Sequence, residues 1–458
     1  MPSPTLMISV SGMRGIVGTD LTPELVARHA AALGAWAREA GKPVVVLGRD
    51  ARTSGEMFAR AGCAGLQSVG CEVIDCGLVP TPTVQLAVEH HRAGAGLVLT
   101  ASHNPVEWNA LKMVGPDGIF LDADTGAQVR AMAERGPARA GWDTIGAVHA
   151  DDQAVARHIE AVLALPEVDL PAIRRRKFRV ALDCVRGAGG VIMPQLLERL
   201  GCTVSAINLA TDGRFPRPPE PLPENLGALT NLVRASGADV GVAVDPDVDR
   251  IAVVDERGEP IGEDYTLAFA VRAVLARAGV ALGDADAPVV VANLSTSLVV
   301  EDAAHDGGAR FLRAPVGEAH VARMIRAEGA LVGGEGNGGV MLPSLHLGRD
   351  APLGMALILQ YLAGSERPVS ELVAAAPRYQ IVKAKLARGA DLGEAFAALR
   401  SRFPEARADE RDGLRLAWEG RWLHLRASGT EPVIRIIAEA RKAAEAEAMI
   451  DACRNLLS

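Results

Sequence analysis

Three stretches of this chain repeat one pattern. The first opens with the strand-like PVVVLG (43–48), passes through the polar turn RDARTSG into an Ala-rich helical stretch, and closes with GCEVIDCG (70–77). The second runs FRVALD (178–183), CVRGAGG, the helical VIMPQLLERL and GCTVSAIN (201–208); the third runs PVVVAN (288–293), LSTS, a helical stretch and GARFLRAP (308–315). Strand, polar turn, helix, glycine, strand is the signature of a βαβ unit, and three copies commit the chain to layered α/β architecture. Each unit also ends alike, with an apolar strand running into a polar loop: AGLVLTASHNP (95–105), ADVGVAVDPDVDR (238–250) and GALVGGEGNGG (329–339). Ligands of open α/β sheets bind beyond the carboxyl ends of the strands. Three similar modules presenting three different loops therefore predict one shared cleft, with a separate task for each loop.

The rest of the chain falls around these modules. Residues 137–176 read as a link between the first two units, RFPRPPEPLPENL (214–226) is too Pro-rich for a regular element, and ERGEP (256–260) is a turn into the third unit. After about residue 366 the order becomes strand (379–385), helix (391–402), several strands (414–437) and helix (441–457), a separate α+β domain. The expected division is 1–147, 148–254, 255–366 and 367–458, and 458 residues suit four domains. Aromatic residues make up only 3%, so the cores must be built from Ala, Val, Leu and Ile. A net charge of −8 argues against a nucleic-acid binder, which wants a basic face, while leaving room for a local Arg cluster that takes an anionic small molecule. No apolar run reaches the ~18 residues of a membrane span, and MPSPTLMISV lacks the basic start and apolar core of a secretory signal. Cys63, Cys71, Cys76, Cys184, Cys202 and Cys453 form no C-x-x-C pair and read as small buried hydrophobes of a reducing compartment. A cytoplasmic protein is expected.

The loops carry the chemistry. In DPDVDR, Asp245, Asp247 and Asp249 alternate, so an extended backbone would point three carboxylates the same way. Converging like charges call for a cation, and hard oxygen ligands suit Mg²⁺. A calcium EF-hand is excluded because Arg250 stands where that loop needs Gly. A phosphatase that uses Asp245 as nucleophile stays open. TASHNPVEWNALK (100–112) places a hydroxyl nucleophile, Ser102, with His103 and Lys112 in one stretch. A hydroxyl beside a metal is how phosphoryl groups are held and transferred. GGEGNGG lacks the lysine of a P-loop, and its Glu335 and Asn337 suit the reading of sugar hydroxyls. RASGTEPVIR (426–435) offers Arg426, Ser428, Gly429 and Thr430, with Arg435 beyond, as a phosphate cradle. If it held only this cradle, the chain would be a non-catalytic phosphosugar sensor.

TASHNP, DPDVDR, GEGNGG and RASGTEP, in that order and across essentially the whole chain, resemble the loops of the α-D-phosphohexomutase superfamily. SGMRG (11–15) and PEPLPENL (219–226) are also similar to stretches of that family. The resemblance implies three similar α/β domains with mixed sheets and a C-terminal α+β domain around a central cleft. It implies that Ser102 carries a phosphoryl group and that Mg²⁺ is held by Asp245, Asp247, Asp249 and a phosphoserine oxygen. Arg14, Arg250 and His103 would support the phosphoryl group, Lys112 would be the general acid or base, and Arg426, Ser428 and Thr430 would grip the phosphate that is not reacting. The implied partners are a hexose phosphate and its bisphosphate, with neither nucleic acid nor membrane, for a monomer or homodimer. Two departures bear on the sugar: Asn337 and Gly339 replace the Ser and His of many members, and Glu318, in APVGEAH (314–320), stands where some have His. The pattern is most similar to prokaryotic phosphoglucosamine mutases and their phosphomannomutase-like relatives, so glucosamine phosphate is the expected substrate, with mannose and glucose phosphates as the alternatives.

Overall fold

The structure, a computed structural model, describes residues 6–9, 12–279, 287–387, 392–427 and 433–457. The three repeats become three sheets with a common strand order. The opening strand of each repeat, Val44–Arg49, Arg179–Asp183 or Val289–Asn293, lies inside its sheet. On one side it pairs in parallel with the strand that closes the repeat, Glu72–Leu78, Thr203–Ile207 or Arg310–Ala314. On the other it pairs in parallel with Ala95–Leu99, Val240–Val244 or Val332–Glu335. That last strand turns back antiparallel into Trp108–Val114, Ile251–Val254 or Gly339–Met341. The functional loops of all three modules therefore occupy equivalent turns, between the last parallel strand and its antiparallel neighbour. Ala95–Leu99 and Val240–Val244 are buried at every residue, as strands covered on both faces must be.

The first sheet is extended at both edges. Gly12–Ile16 pairs antiparallel with Trp108–Val114, setting Arg14 opposite Ala110 and Gly12 opposite Lys112, so the GMRG of that stretch is stitched to the serine loop's return strand. At the other edge Val148–Ala150 pairs with Glu72–Leu78. Two expected boundaries need correction. The one at 147/148 severs Val148–Ala150 from the sheet it extends, and the segment 137–176 is no bare link, since it also carries the helices Ala154–Leu163 and Leu170–Arg176. The boundary at 366/367 comes one short helix early, because Val369–Ala375 packs Val369 and Leu372 into the core beneath the second and third sheets.

That core is continuous from Ile159 to Leu372 and contains most of the helix Ala351–Ser365, which is buried on nearly every side and N-capped by Asp350. The first module and the C-terminal region have cores of their own. The C-terminal region is a five-stranded antiparallel sheet with the helices Leu392–Arg402 and Ala443–Leu457 packed on it. Its extra edge strand, Arg407–Asp409, is too short to register as a sequence pattern. The six cysteines are unpaired. Among the described residues no helix is long and apolar enough to cross a membrane.

Candidate active site

Ser102 lies three residues beyond the strand Ala95–Leu99, with φ +50°, a left-handed conformation that an L-residue adopts only when its surroundings impose it. The imposing group is Arg52. Its guanidinium is buried, ion-paired to Asp50 at 3.2 Å, and donates to four main-chain carbonyls of one loop: Ser102 (2.7 Å), Asn104 (2.6 Å), Pro105 (2.6 Å) and Trp108 (2.7 Å). Asp50 also accepts from the Thr100 hydroxyl at 2.6 Å, and Thr100 in turn accepts from Ser102 N–H. The serine loop is thus moulded from beneath by the polar turn of its own repeat.

Asp245, Asp247 and Asp249 do converge, with one oxygen of each within 4.8 Å of the others, and all three are fully buried. The expected cause was wrong. The strand stops at Val244, and a turn with Val248 at φ +64° brings the carboxylates together, where alternation along an extended chain was anticipated. A β-branched residue in that region is strained, and the strain persists because Val248 is wholly enclosed. Asp245 Oδ1 accepts from Asp249 N–H (3.1 Å) and Arg250 N–H (3.2 Å), and Ser102 Oγ donates to Asp245 Oδ2 at 2.9 Å. Asp247 Oδ2 accepts from Lys112 Nζ (2.6 Å) and Thr81 Oγ1 (2.7 Å), and Asp249 Oδ2 accepts from Arg349. The partner oxygens, Oδ1 of Asp247 and of Asp249, are buried with no hydrogen-bond partner. Two orphaned carboxylate oxygens beside a serine hydroxyl fit a hard divalent cation, since a buried acceptor is otherwise costly. Burial, with Asp249 and Asp247 alongside, raises the Asp245 carboxyl well above the ordinary range.

Arg14, Ser102, His103, Lys112, Arg250 and Glu318 line one cavity of about 160 Å³, together with Arg349. Arg14 donates to Asn104 Oδ1 at 2.7 Å and Arg250 to Glu220 Oε1 at 3.2 Å, which gives the PEPLPENL stretch its place at the site. Burial and the neighbouring Arg250 lower the Arg14 pKa, so these cations repel until an anion joins them. His103 Nδ1 is 3.3 Å from Ser102 Oγ. Burial, then Arg250 and Arg14, push its pKa well below the usual histidine value, which leaves a neutral ring. Burial works against the Lys112 charge, but Asp247 and Asp249 overcome it and keep the ammonium protonated.

The predicted sugar readers stand one layer back. Glu335 is buried and accepts from Asn293 Nδ2 (2.8 Å), Gly317 N–H (3.1 Å) and Arg349 Nη1 (2.7 Å). Asn337 Oδ1 accepts from Gly339 N–H at 3.2 Å within its own turn. Glu318 faces the cavity but accepts from Arg349 N–H (3.3 Å), Arg349 Nε (3.1 Å) and Gln85 Nε2 (3.2 Å), so its charge is already shared. Beneath the loop, Asp264 Oδ1 accepts from Ser297 N–H at 2.9 Å and sits so close that a Cβ on Gly336 would lie 2.1 Å from it. Burial, offset in part by that N–H and reinforced by Glu439, pushes Asp264 up to about 8. A carboxyl raised on folding contributes stability that is full below its unfolded pKa of ~3.9 and is lost as pH rises through the folded value. Wild-type urea midpoints should therefore fall between about pH 4 and pH 8. Asp264→Asn, which keeps the acceptor oxygen, should flatten that slope and exceed wild type at pH 9 by at least about 1 kcal/mol.

Of the expected phosphate cradle, Ser428, Gly429 and Thr430 lie outside the described residues. Arg426 and Arg435 stand directly opposite each other on paired strands. Arg426 Nε donates to Asp412 Oδ2 at 3.0 Å, and the same oxygen accepts from Val316 N–H at 3.0 Å, so the C-terminal sheet is tied to the loop that carries Glu318.

Sequence reasoning missed Arg52, Thr81, Arg349 and Asp412. Arg52 could have been found from the repeat rule, because the turn after Val44–Arg49 is itself at the carboxyl end of a strand. The other three carry no local signal.

Four consecutive family models match the chain: phosphoglucomutase/phosphomannomutase α/β/α domain I over residues 6–139, domain II over 156–258, domain III over 263–379, and the C-terminal domain over 381–456. A protein of Thermococcus kodakarensis named phosphoglucomutase/phosphomannomutase is 39% identical over 96% of both chains. A probable phosphoglucosamine mutase of Methanopyrus kandleri is 36% identical over 96% of this chain and 95% of its own. Among solved structures, a phosphoglucomutase/phosphomannomutase family protein of Burkholderia thailandensis superposes with a TM-score of 0.86 at 26% identity, covering 98% of this chain and 96% of that one.

Proposed function

From the premise that this chain belongs to the phosphoglucomutase/phosphomannomutase family and is an intramolecular phosphotransferase, we propose that it moves a phosphoryl group between the 6- and 1-positions of glucosamine phosphate through a phosphoserine at Ser102. The observation that carries the reading is the Ser102 hydroxyl hydrogen-bonded to Asp245 in a buried aspartate trio with two orphaned oxygens. In the forward half-reaction the bond between phosphorus and Ser102 Oγ breaks as one forms to the free sugar hydroxyl, whose proton must leave. The bisphosphate then turns over and the other phosphate returns to Ser102.

The residues divide this work. Arg14 and Arg250 meet the equatorial oxygens of the transferring group, and neutral His103 hydrogen-bonds beside Ser102 Oγ. Lys112 relays that proton: its ammonium gives a proton toward the Ser102 oxygen that loses phosphorus as it takes the sugar hydroxyl's, so its charge is unchanged at the end of the half-reaction. The bound cation, Mg²⁺ in this proposal, supplies neutralisation of the charge that develops between the oxygens exchanging phosphorus; Asp245, Asp247, Asp249 and an oxygen on Ser102 would hold it. Arg426 and Arg435, with Ser428, Gly429 and Thr430, grip the distant phosphate. An aspartyl phosphatase is disfavoured because both oxygens of Asp245 are engaged, Oδ1 by two main-chain N–H groups and Oδ2 by Ser102. Six cysteines without a disulfide support a cytoplasmic location.

Glucosamine phosphate is preferred because several relatives are named probable phosphoglucosamine mutases and because Glu318 lines the cavity, where a carboxylate favours an ammonium at C2. Since Arg349 shares Glu318, that advantage is modest, about tenfold or less. A sugar that binds in two orientations must be read at O3 and O4, which fall in similar places both ways round, and Glu335 and Asn337 are assigned that task. In a coupled assay with the four hexose 6-phosphates and catalytic bisphosphate, kcat/KM should be highest for glucosamine, lower for mannose and glucose, and negligible for galactose, which is inverted at C4. Galactose phosphate turning over as well as the others would remove the assignment of Glu335. Faster turnover of mannose or glucose than of glucosamine phosphate would overturn the substrate, and net release of inorganic phosphate would overturn the mutase itself.

A further inference from the structure

Arg349 begins the link into the helix Ala351–Ser365, and its side chain is the only fully engaged cation among the described residues lining the reaction cavity that touches both the second and third modules. Its Nη2 donates to Asp249 Oδ2 at 2.5 Å, Nη1 to Glu335 Oε2 at 2.7 Å, and Nε to Glu318 Oε2 at 3.1 Å. One guanidinium thus divides its fork among an acid of the metal loop, the acid of the sugar loop and the acid of the 314–320 stretch. All four side chains are buried. The next residue, Asp350, fixes the origin of the fork: it caps the helix through Leu353 N–H at 2.8 Å and receives His158 Nε2 at 2.7 Å and His346 Nε2 at 2.9 Å.

The bond to Asp249 has a directional consequence. By occupying Oδ2, Arg349 leaves Oδ1 without a hydrogen bond, with Arg250 Nε 3.7 Å away, and that oxygen is one of the two in the trio so placed. Lys112 and Thr81 do the same for Asp247. Outer partners of this kind fix the orientation of metal-binding carboxylates, and their loss typically weakens metal affinity by about 10–100-fold. Arg349 differs from Lys112 and Thr81 in that its other two arms hold the groups assigned to the sugar. A shift of Asp249 on cation loading must therefore be felt at Glu335 and Glu318, and a shift of those acids on sugar binding must be felt at Asp249.

We propose that Arg349 is a positioning residue that couples the metal loop to the sugar-reading acids, so that the cation and the sugar phosphate each strengthen the other's binding. The inference rests on the metal and sugar assignments made above. Reciprocity is required: whatever factor the sugar phosphate confers on cation affinity, the cation confers on sugar phosphate affinity. Lysine cannot replace the residue, because an ammonium lacks the planar fork that spans three carboxylates.

Calorimetric titration of Mn²⁺ into the full-length protein, with and without saturating glucosamine 6-phosphate, tests this directly. Wild type should bind one Mn²⁺ more tightly when the sugar phosphate is present. In Arg349→Met and Arg349→Lys the Mn²⁺ Kd should rise about tenfold or more, and the effect of sugar phosphate on it should vanish. Because Arg349→Met strands three buried acids, the double variant Arg349→Met/Glu318→Gln serves as the better-folded form; its melting should approach wild type while the coupling stays lost. A bridge that only holds the fold together would change melting and leave the coupling intact, so wild-type coupling in any of the three variants overturns the proposal. Failure of wild type to bind Mn²⁺ would instead overturn the metal assignment on which it rests.

Discussion

Ser102→Ala should abolish turnover and the phosphoenzyme together while leaving a folded protein. Intact-protein mass spectrometry of wild type should show a fraction heavier by one phosphoryl group, and the variant should lack it. As the proposed nucleophile Ser102 has no substitute in the site, so kcat should drop by at least about four orders of magnitude, as when nucleophiles are removed elsewhere. Folding should survive. The substitution removes the hydroxyl's hydrogen bond to Asp245 and its 3.3 Å contact with His103 Nδ1, each worth about 1 kcal/mol. The left-handed backbone at residue 102 is imposed by Arg52 through carbonyls that alanine retains. Near-normal turnover in Ser102→Ala would end the phosphoserine mechanism, and a phosphorylated fraction that persists in the variant would move the phosphoryl group to another residue.

Asp245→Asn should separate stability from activity. In the metal-free protein three buried carboxylates face each other, and burial with Asp247 and Asp249 nearby disfavours the charged form of Asp245. An amide of the same shape keeps an acceptor for the N–H groups of Asp249 and Arg250 and is neutral without having to bind a proton, so the metal-free variant should melt at or above the wild-type temperature. Saturating Mg²⁺ should stabilise wild type by RT ln(1 + [L]/Kd), about 2.7 kcal/mol at a hundredfold excess over Kd, and should barely shift the variant. Activity should move the other way, down by about a thousandfold, because the several kcal/mol a metal contributes to phosphoryl transfer amount to a factor of ten per ~1.4 kcal/mol. A variant that is less stable without metal, or that keeps its Mg²⁺ shift, would remove the cation from this trio.

The architecture was legible because its signal is periodic and occurs three times. Apolar strands such as Val240–Val244 and Ala95–Leu99 announce themselves, and the loops that follow them inherit a place at the carboxyl edge. Ser102, the aspartate trio and Lys112 were therefore brought together as expected. What stayed hidden depends on contacts across long sequence separations. The repeat rule places Arg52 at the carboxyl edge, but nothing in RDARTSG reveals that its partners are carbonyls about fifty positions away. Arg349 sits in an unremarked stretch before a helix, and its importance lies in three acids from three different loops. The convergence of Asp245, Asp247 and Asp249 was anticipated for the wrong reason, because left-handed Val248 is imposed by tertiary packing against β propensity. The domain edges were misplaced where Val148–Ala150 and Val369–Ala375 are too short to show a period.

The three sheets look like interchangeable beads, yet the apolar interior runs unbroken from Ile159 to Leu372, and the helix Ala351–Ser365 packs against the helices Ala154–Leu163, Leu170–Arg176 and Gly189–Arg199 of the preceding segment. The unit of inheritance is therefore larger than the unit of repetition. A recombination that exchanged the metal-bearing module alone would cut through a shared interior and leave each half with apolar surface facing water, whereas the second and third modules exchanged as a pair would carry their interior with them. The C-terminal sheet has its own enclosed apolar core and meets the third module through a polar seam, Leu298 N–H to Glu439, Arg415 Nε to the Leu294 carbonyl and Ser295 to His424. The C-terminal region can thus diversify wherever that seam is kept, while the loops of Asp245 and Glu335 must change in each other's company.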